Sequence, residues 1–236
     1  MKKLLLNLRK KRDLTTGSIS RNIWILSIPI IISNLLQTTF ELINMMWVGR
    51  LGATELAAVA MSSSILMVVM FLMMGIAIGT TAMVARYVGQ QNMNQANKVA
   101  MQSIILCLFG SIILSVLGYL FSAQALVWLG GAPEVVALGT TYLHITFFGI
   151  FVMFFIFLIA GILQGAGDAV TPMLVLGFAI IFNIILDPIL IFGLGVPKMG
   201  VAGAAVASII ARGLGSLISL EVLIHGRSHI KLDISN

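Results

Sequence analysis

The chain of 236 residues is 59% hydrophobic and only 9% charged, whereas soluble domains carry about 25% charged residues. This composition, with a mean hydropathy of +1.09, excludes an ordinary soluble protein and indicates an integral membrane protein. The net charge of +6 does not indicate nucleic-acid binding, because seven of the 14 Lys and Arg residues lie before residue 22, where they would face anionic lipid beside the first membrane span.

Six apolar segments follow this basic segment, and each is long enough to cross a bilayer as a helix, which takes about 20 residues. We predict an all-α, polytopic membrane protein with six transmembrane helices in one unit, 23–224. Residues 1–22 are predicted to form a basic cytoplasmic tail, and 225–236 a cytoplasmic tail or the start of a linker to a second lobe. The predicted spans are about 23–46, 55–84, 100–121, 138–160, 171–193 and 201–224.

The basic residues also predict the orientation in the membrane. With the N-terminus inside, eleven Lys and Arg residues fall on inner segments, and only Arg50 and Lys198 fall on outer loops. Positively charged loops stay on the cytoplasmic side. We therefore expect a multi-pass protein of the cell (inner) membrane with both termini in the cytoplasm.

The first span carries a polar stripe. Gln37, Glu41 and Asn44 are spaced by four and then three residues, so they share one face of a helix, and Asn34 lies one turn before Gln37. Such a stripe is unfavourable against lipid, so it is expected to face other protein or a water-filled cavity. Pro29 predicts a kink earlier in the same span, which serves either packing or a hinge motion.

The fifth span contains an aspartate in an apolar run, in the sequence "NIILDPILIFG" at 183–193. Asn183 lies one helical turn before Asp187, on the same face. Pro188 lacks an N–H group, so it leaves the carbonyl of Ile184 free for a ligand or water. A carboxylate in this setting must be paired, hydrated or protonated, because burying it alone costs several kcal/mol.

Depth along the helices places these two polar groups at a similar level. Counted from the cytoplasmic side, Glu41 and Asp187 differ in depth by about 3 Å. Glu41, Asn44, Asn183 and Asp187 are therefore predicted to form a cluster of oxygen ligands that suits Na⁺ or a proton, with Na⁺ held at Asp187 and Asn183. The alternative is that these side chains only hydrogen-bond neighbouring helices or, for Glu41, reach water at the interface.

Two further features of the spans have several interpretations. Arg212 lies near the middle of the last span, where it lines a cavity, pairs with a helix carbonyl or extends to the inner surface. The "GIAIG" segment, with Gly75 and Gly79, predicts a face where two helices pack closely.

Motifs of common enzymes are absent: the sequence has no HExxH, CxxC, P-loop or GxSxG. "GAGD" at 165–168 matches the G-x-G-D pattern of intramembrane aspartyl proteases, which need two facing aspartates. Asp168 instead falls in a predicted cytoplasmic turn, and Asp187 lies towards the opposite side of the membrane. We therefore expect the protein not to be an enzyme.

Three segments, spread over most of the chain, resemble the multidrug and toxic compound extrusion (MATE) family. They are "NMMWVGRLGATELAAVA" (44–60), "LQGAGDAVTPM" (163–173) and "NIILDPILIFGLGVPKMGVAGAAVAS" (183–208). The resemblance implies a cation-coupled antiporter that expels organic, often cationic, compounds in exchange for Na⁺ or H⁺ and needs no other cofactor. It also implies a fold of twelve helices in two lobes, of which this chain would be the N-terminal one.

The resemblance also implies roles for individual residues. Asp187 and Asn183 match the fifth-helix cation site of the family, Gln37 matches a cavity glutamine, and Pro29 matches the proline at which the first helix bends. Many members have aspartate at the position of Asn44. Here the acid stands one turn earlier, at Glu41, which either substitutes for it or changes the ion preference.

The number of helices leaves the partner of this lobe open. A C-terminal lobe or a second copy of the chain would be needed to complete the cavity between lobes. The other expected partners are membrane lipid and small organic cations. One alternative is a non-transporting half or an assembly partner. Another is a flippase of lipid-linked sugars, although such cavities hold several cationic residues and here only Arg212 is present.

Overall fold

The computed structural model describes residues 18–224, with side chains as far as Glu221, and this part of the chain is helical throughout apart from short connections. The predicted tail 225–236 and residues 1–17 lie outside the described residues. The helices are α1 Ile19–Gly49, α2 Ala53–Gly89, α3 Met93–Trp128, α4 Pro133–Phe148, α5 Ile150–Gly165, α6 Val170–Phe192 and α7 Val201–Ile224.

Five of these helices are each long and apolar enough to cross a membrane, and α4 and α5 together form a sixth span. The all-α prediction with six spans is thus confirmed. The fourth span differs from the prediction of one helix over 138–160, because it bends by 52° between α4 and α5. The bend falls at Gly149, where a side-chain carbon would lie only 2.5 Å from the end of Ile209 on α7, so the absence of a side chain lets α7 approach the bend.

Several helices extend beyond the apolar segments that predicted them. α1 begins at Ile19, inside the predicted tail 1–22, and α2 and α3 leave only Gln90–Asn92 between them, whereas the predicted spans 55–84 and 100–121 leave 85–99. Asn92 caps α3 by accepting a hydrogen bond from the backbone N–H of Gln95 at 3.2 Å. Apolar composition marks the depth of the hydrocarbon, whereas a helix continues into the interface until a cap ends it.

The largest buried cluster lies between α2, α3, α4 and α5 and includes Phe147, Phe154, Leu158 and Ile162. α6 packs against α7 on one side and α1 on the other, so α1 lies at the edge of the bundle. A smaller cluster joins the ends of α1, α2, α6 and α7; its buried members are Val48, Val59, Ile191, Val201 and Ala204.

The prediction of a close-packing face at Gly75 and Gly79 is wrong for the described part of the chain. A side-chain carbon at either glycine would meet nothing within 4 Å. Close approaches occur at other glycines. A side-chain carbon added at Gly161 would lie 3.1 Å from the carbonyl oxygen of Ala77, and one added at Gly203 would lie 2.6 Å from the carbonyl oxygen of Leu190. A GxxxG spacing identifies small residues on one helix face but not which face meets a neighbour.

Candidate functional site

Asn183 and Asp187 form a buried pair on α6. They are 1% and 0% exposed, and the Asn183 side-chain amide donates a hydrogen bond of 3.1 Å to one carboxylate oxygen, Oδ1, of Asp187. The other carboxylate oxygen of Asp187 and the amide oxygen of Asn183 are buried without a hydrogen-bond partner in the described part of the chain. Two unpartnered oxygens at one buried position are suited to a proton or a small hard cation, which would offset their desolvation.

Pro188 adds a third oxygen to the same turn of α6. Because it has no N–H group, it donates no helical hydrogen bond to the carbonyl of Ile184. α6 nevertheless continues through Pro188 as far as Phe192. The carbonyl of Ile184 therefore lies in the same turn as the Asn183–Asp187 pair, without a break in the helix.

The polar stripe of α1 is organised separately from this pair. Gln37 donates a hydrogen bond of 2.9 Å to Glu41, while the amide oxygen of Gln37 is buried without a partner. Glu41 and Asn34 are exposed, and Gln37 is half-buried. No hydrogen bond in the described part of the chain joins Glu41 or Asn44 to Asp187. In direct contacts, the predicted cluster of four is the Asn183–Asp187 pair on α6, Glu41 bonded to Gln37 on α1, and Asn44 bonded to Ser208 on α7.

Two contacts connect α1 to α7. The Asn44 side-chain amide donates a hydrogen bond of 3.1 Å to the hydroxyl of Ser208, and the guanidinium of Arg212 lies 4.7 Å from the centre of the Phe40 ring. Phe40 and Asn44 are four residues apart on α1, and Ser208 and Arg212 are four apart on α7, in the opposite chain direction. These four residues therefore lie on facing sides of two antiparallel helices, and we call this contact the α1–α7 seam.

Three hydroxyl groups of α1 are satisfied within the helix. Ser33 donates to the carbonyl of Pro29 at 2.9 Å, Thr38 to that of Asn34 at 3.1 Å, and Thr39 to that of Leu35 at 2.8 Å. Pro29 itself is buried, and α1 continues through it as helix. Most of the polar character of α1 thus needs no partner from another helix.

Tyr142 on α4 was not predicted from the sequence as part of the site. It packs against the small cluster at the ends of α1, α2, α6 and α7, and it is close enough to Arg212, Asp187 and Glu41 for their charges to act on its hydroxyl. The residue belongs to the polar run "TTYLHIT" (140–146) within the fourth span. That run was the sequence signal that could have identified it.

Asp168 has a structural role at the start of α6. It accepts hydrogen bonds from the backbone N–H and the hydroxyl of Thr171, at 3.0 Å and 2.6 Å. Asp187 follows 19 residues later, which is about 28 Å along a helix. The two aspartates do not face each other, so the G-x-G-D segment does not form a protease site. No group of three or more His, Cys, Asp or Glu residues within the described residues is placed to hold a metal.

Comparisons with known proteins agree with this arrangement of helices. The model of the MatE family matches residues 29–189. The probable multidrug resistance protein YpnP of Bacillus subtilis (strain 168) is 31% identical over 91% of this chain and 48% of that protein. The probable multidrug resistance protein NorM of Thermotoga maritima is 30% identical over 84% of this chain and 43% of that protein.

A solved structure, of MATE in the bent conformation, superposes with a TM-score of 0.86 at 30% identity and covers 98% of this chain and 50% of that one. The chain spans about half the length of the curated relatives that it matches.

Proposed function

Because the chain belongs to the MATE family of membrane transporters, we propose that it forms one lobe of a cation-coupled antiporter that exports organic, often cationic, compounds. The observation that carries the proposal is the Asn183–Asp187 pair, with its two buried oxygens that have no partner among the described residues. A membrane-buried carboxylate of this kind is a functional site by default, because a purely structural role would leave its desolvation uncompensated.

In this mechanism, the coupling cation, Na⁺ or H⁺, binds at the free oxygens of Asp187 and Asn183, and the Ile184 carbonyl is within reach of the same position. Binding neutralises the carboxylate and changes the packing of α6 against α1. α1 responds by bending at Pro29, where the helix lacks one backbone hydrogen bond. Pro188 gives α6 the same local freedom.

The substrate binds on the polar side of α1, where Asn34 and Glu41 are exposed and Gln37 donates a hydrogen bond to Glu41. Movement of α1 changes this surface, so the cation and the substrate each alter the affinity of the other by the same factor. Glu41 and Asn44 support coupling from α1, without direct bonds to the pair on α6.

A second lobe completes the cavity. The chain covers about half of its relatives, and α1, which carries the polar stripe, lies at the edge of the bundle. Six further helices, in the same polypeptide or in a second copy, would face it.

The test is gradient-driven transport by the full-length protein in proteoliposomes. Efflux of a fluorescent organic cation is measured with an imposed Na⁺ gradient and then with an imposed H⁺ gradient. We expect one of the two gradients to drive efflux, and Asp187→Asn to abolish the gradient-driven part while membrane insertion is retained. Glu134→Gln, which changes an exposed carboxylate, serves as the control. Unchanged gradient-driven efflux in Asp187→Asn would contradict the proposal.

A further inference from the structure

Arg212 is a buried cation that takes no part in the proposed coupling site. It is 6% exposed and lies at the twelfth position of α7, near the middle of a membrane span. A guanidinium has five N–H donors, and no hydrogen bond or ion pair to this group is found in the described part of the chain. The side chain is therefore more than nine-tenths buried and has no polar partner among the described residues.

The neighbours of Arg212 compensate its charge only in part. Stacking on Phe40 contributes at most a few kcal/mol, whereas burying a charge costs several. Glu41 and Tyr142 act on Arg212 electrostatically. Glu41, however, is exposed and its carboxylate accepts from Gln37, so it does not form an ion pair with Arg212.

The contact with Phe40 leaves the hydrogen-bond donors of the guanidinium without a polar partner. The central carbon of the guanidinium lies 4.7 Å from the centre of the Phe40 ring, and Phe40 is itself 2% exposed, so the ring is fixed in the bundle. A guanidinium carries its N–H groups in a planar fork that matches a carboxylate or a phosphate, and among the described residues no hydrogen bond occupies this fork. The exposed carboxylate of Glu41 follows Phe40 directly in the chain.

We propose that Arg212 binds an anionic group, a carboxylate or phosphate, of the substrate, and that a cationic group of the same molecule lies towards Glu41. The substrate class is therefore an amphoteric organic compound rather than a simple organic cation. This inference rests on the transport function proposed above, and it makes Arg212 the residue that determines selectivity for the acidic group.

The test compares two dyes that differ only at one acid. Rhodamine 110 carries a free carboxylate, and rhodamine 123 is its methyl ester. Their dissociation constants are measured by fluorescence anisotropy on the purified full-length protein without an ion gradient. We expect the wild type to favour the acid, and Arg212→Gln to reduce this preference by about tenfold, the range of a lost hydrogen bond to a charged group. Arg212→Lys, which keeps the charge but loses the fork, should give an intermediate ratio.

Arg50 supplies a matched control, because its guanidinium stacks on Trp47 at the same distance of 4.7 Å but is exposed. Arg50→Gln should leave the acid-to-ester ratio unchanged. An equal loss of affinity for both dyes in Arg212→Gln would show a structural role and overturn the proposal. If that variant does not fold, the wild type decides, since failure to bind the acid more tightly than the ester overturns it. Because the dissociation constants are measured without an ion gradient, this test is separate from the test of ion coupling.

Discussion

Single glycines determine how closely the helices of this lobe approach one another. At Gly203 the backbone of Leu190 occupies the space that a side chain would need. A side-chain carbon added at Gly203 would lie 2.6 Å from the Leu190 carbonyl oxygen. At Gly75 the corresponding position is open. The two residues have the same propensity within a helix, but only one of them lies in a helix contact.

Substitution by alanine should therefore have opposite effects at these two glycines. Gly203→Ala forces α6 and α7 apart and should lower stability by about 1–3 kcal/mol, the range for overpacking. Gly75→Ala fills open space and improves helix propensity by up to about 1 kcal/mol, so it should be neutral or stabilising. Thermal unfolding of the two purified variants checks this. A stable Gly203→Ala variant would mean that the α6–α7 contact is looser than described.

The sequence predicted contacts between site residues on the same helix better than contacts between site residues on different helices. Asn183 and Asp187 are one turn apart, and helix geometry alone brings their side chains together. Whether Glu41 or Asn44 reaches Asp187 depends on how α1 is rotated about its axis, which depth along the helix does not specify. Tyr142 was missed for the same reason, since its proximity to residues of α1, α6 and α7 depends on where α4 packs.

At the scale of helices, the α1–α7 seam is a contact of few interactions. Its polar part is the hydrogen bond of 3.1 Å between Asn44 and Ser208, and its other part is the stacking of Arg212 on Phe40. Most of the packing of α1 is against α6. The seam therefore positions α1 without holding it strongly.

A double-mutant cycle should measure the strength of the hydrogen bond in the α1–α7 seam. Asn44→Ala, Ser208→Ala and the double variant are expected to give a coupling energy of about 0.6 kcal/mol, typical of hydrogen bonds between membrane helices. Thr38→Ala combined with Ser208→Ala is the control, because the Thr38 hydroxyl bonds within its own helix, and these two changes should be additive. Unfolding free energies in mild detergent provide the measurement. A cycle with no coupling would mean that the seam forms no effective bond.

Hydropathy predicted the existence of the helices but not their ends or the bend in the fourth span. The segment 138–160 has a polar run before Gly149 and an apolar run after it, but neither run contains a residue that breaks a helix, apart from the glycines themselves. The bend depends on α7, whose Ile209 occupies the space beside Gly149. A contact between residues 60 positions apart leaves no periodic signal in the local sequence.

At the scale of the whole molecule, the short connections gather at two ends of the bundle. A cavity of about 180 Å³ at one end is lined by Leu51, Glu55, Lys198 and Met199 among others, so the first and last connections lie together. The predicted inner connections, with Lys98 and Asp168, belong to the other helix ends. This distribution places Lys98 and Lys198 at opposite ends of the bundle, and the orientation with Lys198 outside stays a prediction.

Labelling of single cysteines tests the orientation. Lys198 and Lys98 are both exposed, and the native Cys107 is 2% exposed, so it should give little background. In intact cells, a membrane-impermeant maleimide should label Lys198→Cys at once, and Lys98→Cys only after the membrane is permeabilised. The reverse pattern would invert the orientation.

The hydroxyl groups of α1 that bond to their own backbone have a consequence for motion. Because these donors travel with the helix, α1 can shift or rotate as a body without breaking the hydrogen bonds of these three hydroxyl groups. The polar interactions given up at the seam are one hydrogen bond and one cation–π contact, together about 1–3 kcal/mol. Since each 1.4 kcal/mol corresponds to a tenfold change in affinity, a cation that binds ten to a hundred times more tightly to one position of α1 than to another would offset this polar part, while the packing of α1 against α6 would have to form again in the new position.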